Sequence, residues 1–322
     1  MLHLRVISPA GRTEDVLGLL DGAVGVTNLV VLPGVARSPR GDLVQFDVAR
    51  EAANEVIECL QRLGLRAEGS ISAEQIDLSV SEAADRAERE APGESDDAVI
   101  WAELASRVAA DCRITWAFLA FLAIATQLAG IGVVTDSPIL IVGAMVLGPE
   151  FGAVAAICFG LLRRDGRLIA GAVRALALGF AFAIAITLAC ALVSRGLGWI
   201  GPSSLSKHEE IEFIVKPDRW SFIVALLAGS AGVLSVTAGK SSALVGVFIS
   251  VTTVPAAGYF AVAAALGRWG DMAASVTQLA VNIAGMIIAG TATLLAQRAY
   301  WARFGVRLPV RPRRRGAPWE NP

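Results

Sequence analysis

The residues with the clearest chemical motive lie in GAMVLGPEFGAV, Gly143 to Val154, where Pro149 and Glu150 interrupt a stretch apolar enough to sit in lipid. A charged group inside a bilayer costs a few kcal/mol on insertion scales, so a carboxylate there marks a function or a partner. Three roles fit Glu150. It is a coupling carboxylate that loses and gains a proton or cation as the protein changes access, a fixed cap paired with Arg174 in the following span, or a group turned toward cytoplasmic water. Proline removes a backbone donor and collides with the carbonyl four residues back, yet it is favoured at the first position of a helix. The segment from Pro149 is therefore expected to be a half-helix whose free N–H groups face the bilayer centre, with Glu150 in its first turn against the positive end of the dipole.

A second interruption has the same character. Thr252 and Thr253 precede Pro255 in another apolar stretch, and Gly148, Gly152 and Gly258 loosen the turns around the two prolines. At an offset of 106 residues Arg113 falls on Arg219, Pro149 on Pro255, Gly152 on Gly258 and Asp165 on Asp271. A repeat of three spans forces the second copy to insert upside down, giving inverted repeats, and paired breaks at matching positions point to a transporter-like site of Gly148, Pro149, Glu150, Thr252, Thr253 and Pro255. Asp136 and Lys240, at the entries to the second and fifth spans, are solvated helix ends or a gate. Gln127, Gln278 and Asn282 are polar groups within spans, suited to hydrogen bonds between helices.

The elements that must hold these residues follow from composition. The 322-residue chain is 55% hydrophobic and 18% charged, with mean hydropathy +0.60, which describes a membrane protein and excludes an ordinary soluble domain. Net charge of -1 argues against a nucleic-acid binder. Six apolar segments are expected, at Ile114 to Val133, Pro138 to Leu162, Leu168 to Val193, Trp220 to Thr237, Ala243 to Leu266 and Met272 to Ala296, each near the roughly 20 residues that cross a bilayer. The arginine-rich LLRRDGR after the second and the basic tail after the sixth place both termini in the cytoplasm of a cell with the chain in its inner (plasma) membrane. His208, Glu209 and Glu210 are consecutive and cannot converge on one helix face, so no metal is expected. Cys59, Cys112, Cys158 and Cys190 are isolated packing residues, and no cofactor is expected.

Residues 1–80 alternate as a water-soluble domain does. The order LHLRVIS, TEDVLGLLDG, VTNLVVL, LVQFDVA, EAANEVIECLQRLGL and an alternating run from Gly69 to Val80 reads βαββαβ. This predicts a ferredoxin-like α+β sandwich with both helices on one face of a four-stranded antiparallel sheet. Residues 81–112 are an acidic helical linker ending in an amphipathic helix with Val99, Leu104 and Val108 on one side. Residues 113–297 are the six-helix transmembrane domain, and 298–322 a basic cytoplasmic tail.

The stretches DSPILIVGAMVLGPEFG, ALLAGSAGVLSV, GVFISVTTVPAAGY and LAVNIAGMIIAG, in this order between residues 110 and 297, resemble the prokaryotic membrane proteins of domain of unknown function 389. The resemblance implies an integral membrane protein, often with a soluble N-terminal domain, and supplies no catalytic residues. The family usually has an apolar residue after the first proline and often a second proline in the third block, so Glu150 and the single Pro255 depart from its pattern. Two functions stand: a secondary transporter or channel for a small solute or ion, and a membrane-anchored sensor or scaffold whose N-terminal domain binds a ligand or partner. An enzyme is not expected, since His3 and His208 lie outside the spans. Small-residue helix faces and open sheet edges predict a homo-oligomer in the lipid bilayer.

Overall fold

A computed structural model describes residues 1–93, 95, 98–205, 219–239, 247 and 252–304. The chain forms two compact units, Met1–Glu103 with Ala299–Pro322, and Leu104–Arg298.

The first unit is built on four strands, β1 (Leu2–Ser8), β2 (Val26–Arg37), β3 (Arg40–Val48) and β4 (Ser70–Gln75). They are ordered β2-β3-β1-β4 with every neighbour antiparallel. Helices α1 (Thr13–Leu20) and α2 (Arg50–Arg62) fall between them in sequence, and a single turn, α3 (Leu65–Glu68), leads into β4. This is the split βαβ order that the alternation predicts. Leu4 and Val6 of β1 and Phe46 of β3 point to one face, where Val16, Leu20, Val56 and Leu60 of the two helices close the core. On the other face His3 Nδ1 lies 2.7 Å from Asp47 Oδ1, and Asn28 Nδ2 donates to Asp47 Oδ2 at 2.7 Å.

The stretch expected to link the two parts is tied down. Helix α4 (Glu82–Glu90) is capped by the Ser81 hydroxyl, which accepts from the Ala84 N–H, and Glu88 meets the N-terminal ammonium at 3.2 Å. Asn54 of α2 donates to the Val99 carbonyl at 2.5 Å and accepts from the Trp101 N–H at 2.9 Å. Helix α5 (Trp101–Asp111) follows, with Leu104 and Val108 buried on the side the sequence predicts.

The second unit holds α6 (Trp116–Val134), α7 (Pro138–Leu147), α8 (Glu150–Arg163), α9 (Gly166–Gly196), α10 (Arg219–Thr237), α11 (Thr253–Leu266) and all but the last turns of α12 (Trp269–Phe304). Among the described residues four helices are long and apolar enough to cross a membrane, α6, α9, α10 and α12; a fifth span is added if α7 and α8, bent by 51° at their break, count as one. Of the six spans expected from hydropathy, these are the ones the described residues carry. Of the segment Ala243 to Leu266, only the 14-residue α11 and two further positions fall within the described residues. Large apolar side chains such as Phe121, Ile124, Leu178, Phe182, Leu227 and Ile288 are exposed. In water such a surface would aggregate, whereas against lipid tails it is the expected exterior.

Glycines set the helix crossings. A Cβ on Gly258 of α11 would lie 2.8 Å from the Gly130 nitrogen and 2.9 Å from the Thr126 carbonyl of α6, and one on Gly229 of α10 would meet the Met286 backbone of α12. Gly232 of α10 gives its space to the Phe151 ring of α8. Backbones therefore approach as closely as small residues permit. Helix α11 packs on α6 and α9, whereas α8 packs on α9 and also meets α10 at Gly232 and α12 through Cys158, whose Sγ lies 3.6 Å from the Ile287 carbonyl.

In the first unit one charge sits at a cost. Glu51 is buried, and its Oε2 has no hydrogen-bond partner among the described residues. Desolvation pushes its carboxyl above the usual 4.5, so folding favours the protonated form. The contribution of this group is full below about pH 4.5 and is lost as pH rises through the raised value, because the unfolded chain there holds fewer protons. Glu51→Gln should therefore raise the hydrogen-exchange protection of the β1 and β3 amides in the full-length protein at pH 7, with the gain shrinking to nothing near pH 4.

Candidate functional site

Helix α7 stops at Leu147 because Gly148 is extended, with φ -67° and ψ 121°, and Pro149 cannot donate to the turn before it. Pro149 is the N-cap and Glu150 the first helical residue of α8, one position later than expected. A Cβ at Gly148 would collide with Glu150 Oε2 and Val254, so glycine leaves the space into which the carboxylate folds back over the start of its own helix. Helix α11 begins alike: Thr252 is its N-cap, Thr253 its first residue, and Pro255 stands in the first turn, where no N–H is needed.

The two helix starts touch. Thr253 Oγ1 donates to Glu150 Oε1 at 2.6 Å, with both residues buried. The adjacent Thr252 Oγ1 accepts from Gln278 Nε2 at 3.0 Å and from Asn282 Nδ2 at 2.8 Å. Gln278 and Asn282 are one helical turn apart on α12, on one face, and are 0% and 2% exposed. Neighbouring threonines thus tie α11 to α8 on one side and to α12 on the other. Two oxygens are left over: Glu150 Oε2 and Gln278 Oε1 are buried without a hydrogen-bond partner among the described residues.

The element boundaries recur 103 residues apart, the same separation as the Glu150–Thr253 hydrogen bond. Helix α6 maps onto α10 at both ends, α8 onto α11 at both ends, and the start of α9 onto the start of α12. The left-handed residues that close α8 and α11, Arg164 and Gly267, correspond as well. Identical residues at an offset of 106 therefore do not occupy equivalent places; Glu150 corresponds to Thr253 and Pro149 to Thr252.

The expected pair of Glu150 with Arg174 does not form. Arg174 is exposed, because the buried stripe of α9 runs through Ala172, Ala175, Leu176, Gly179, Phe180 and Ala183 and leaves it on the outer side. The reading of Glu150 as a water-exposed group also fails, as the residue is 5% exposed. Asp136 is half-buried just after α6 with φ 50°, a left-handed position that closes the helix. Gln127 is half-buried on α6. Lys240 lies outside the described residues.

Two features were not singled out in the sequence. Asp111, at the end of α5, occupies the space beside Gly152, where a Cβ would come within 2.7 Å of its side chain. The residue is exposed overall, yet partial desolvation raises its carboxyl above the usual 3.8. The corner between α8 and α9 is lined by Arg163, Arg164 and Arg167. The first depends on a chance approach of α5 that no local pattern encodes; the second was visible as LLRRDGR but served only to orient the chain.

Removing the Thr252 hydroxyl would strand two buried amide donors. Thr252→Val should lower stability in detergent by about 1–3 kcal/mol, while Thr252→Ser stays near wild type; thermal unfolding of the purified protein measures both.

Residues 145–288 match the family model described as a domain of unknown function, DUF389. That range contains Glu150, Thr252, Thr253, Gln278 and Asn282. The uncharacterized protein MJ0678 of Methanocaldococcus jannaschii is similar, with 26% identity over 172 residues, 52% of this chain and 51% of the relative. The chain thus spans about half the length of that relative. No solved structure matches. Through the helices that carry Glu150 and its partners, the chain is similar to the DUF389 family.

Proposed function

We propose that this chain is a secondary transporter or channel for a small solute or ion, with its site where α8 and α11 begin. The observation that carries the proposal is Glu150. A carboxylate that is 5% exposed stands at the junction of two half-helix starts, holds one hydroxyl on Oε1 and leaves Oε2 open. A broken helix exposes backbone N–H groups that lipid cannot satisfy and an ion or solute can. Static capping needs no second break, yet the chain builds a matching helix start and brings the two together.

The recurrence of element boundaries supports an inverted repeat of three spans, with six crossings in all and both termini on the cytoplasmic face of the inner membrane. In this reading the packing of α11 on α6 and α9, and the contacts of α8 with α10 and α12, couple each half-helix to the opposite half, which changes access to a fixed centre. Glu150 takes and releases the coupling proton or cation through Oε2, and Thr253 holds Oε1 in place.

Proteoliposomes loaded with a pH-sensitive dye test this assignment. With a proton gradient imposed, Glu150→Gln should reduce coupled flux at least tenfold and flatten its pH dependence, whereas Thr253→Ser retains both. Unchanged flux and pH profile in Glu150→Gln would remove the carboxylate from the mechanism.

A further inference from the structure

The second unit contains a basic cavity at the opposite end of α8 from the junction of Glu150 and Thr253. It has a volume of about 880 Å³ and is lined by Arg163, Arg164, Arg167, Asp165 and Leu168 at the turn between α8 and α9, by Phe159, and by Ala105 and Ala109 of α5. All three arginines are exposed, and among the described residues none has a carboxylate partner. Asp165 does not neutralise them: its Oδ1 accepts from the N–H groups of Arg167 and Leu168 at 3.0 and 3.1 Å, capping α9. The end of α9 is therefore already satisfied, and the positive character of the cavity comes from side chains. Arg163 is oriented by the Phe159 ring, its guanidinium carbon 5.6 Å from the ring centre.

The corresponding turn of the second half is a control supplied by the fold. Between α11 and α12 Arg268 pairs with Asp271 at 2.5 Å, so its cation is neutralised. The corner between α8 and α9 concentrates three guanidinium groups without such a partner, although unpaired like charges repel. Guanidinium forks match the oxygen geometry of phosphate groups. The cavity sits where the apolar run of α8 ends and that of α9 begins, and Phe159, Leu168, Ala105 and Ala109 give it an apolar wall.

We propose that this cavity binds a phosphate group, and that the phosphate is the headgroup of an anionic phospholipid whose chains lie along the exposed apolar face of α9. Arginine near an anionic membrane surface contributes about fivefold in affinity per residue. Phosphate contacts come from Arg164 and Arg167, with Arg163 held over Phe159 as the third.

The test uses the full-length protein in detergent with mixed phosphatidylcholine and phosphatidylglycerol, counting retained lipids by native mass spectrometry. Wild type should retain phosphatidylglycerol preferentially. Arg164→Gln and Arg167→Gln should each lower that preference about fivefold, and the triple variant with Arg163→Gln should abolish it. Arg174→Gln, exposed on the same α9 but outside the cavity, should leave it unchanged. Equal loss in Arg174→Gln, or full retention in the triple variant, overturns the site. If millimolar inorganic phosphate displaces the lipid and is itself retained without it, the phosphate is a soluble one and the lipid assignment falls. Should the triple variant not fold, the two single variants decide.

Discussion

The hydrogen bond from Thr253 to Glu150 joins the two places where this helical unit breaks its own rules. In hydrocarbon every backbone donor and acceptor must find a partner within the protein, and a helix start leaves its first N–H groups without one. Two starts placed together share the problem. The Glu150 carboxyl reaches the starts of both helices, and the hydroxyl on α11 fixes one of its oxygens. Thr252 then anchors the same turn to α12 through two amides, so the junction is held by side chains from three helices.

That junction requires the backbones to come close, and the glycines supply the room. Gly258 lies against α6 at Gly130, and Gly232 receives the Phe151 ring one residue after Glu150. Larger residues at either crossing would push α11 or α8 outward and separate the hydroxyl from the carboxylate. Because α11 packs on α6 and α9 while α8 touches α10 and α12, displacement of either half-helix is felt by helices from the other half of the sequence.

Much of this was legible in the sequence. The split βαβ sheet followed from period-two alternation because one face of it is buried by two helices. Glu150, the threonines, Gln278 and Asn282 stood out because polar groups are costly in apolar runs. The register of the repeat was not legible from residue identity. All the first-turn N–H groups of a helix lack intrahelical partners, so proline is tolerated at the cap, as Pro149, or two residues inside the helix, as Pro255. Acidic residues have the same latitude, Asp165 at the cap of α9 and Asp271 in the first turn of α12. Identities therefore slid three positions from the structural register. Arg174 was misjudged because proximity along the chain does not say which side of a helix faces inward.

The separation of 103 residues between Glu150 and Thr253 also has a consequence for biogenesis. At about 5–20 residues per second, a ribosome takes roughly 5–20 s to cover that distance. During this interval α8 has been synthesised and its carboxylate has no hydroxyl to meet. The nascent chain must shelter that group in the insertion machinery, in water or with a proton until α11 arrives, which makes the second half of the protein a chaperone for the first.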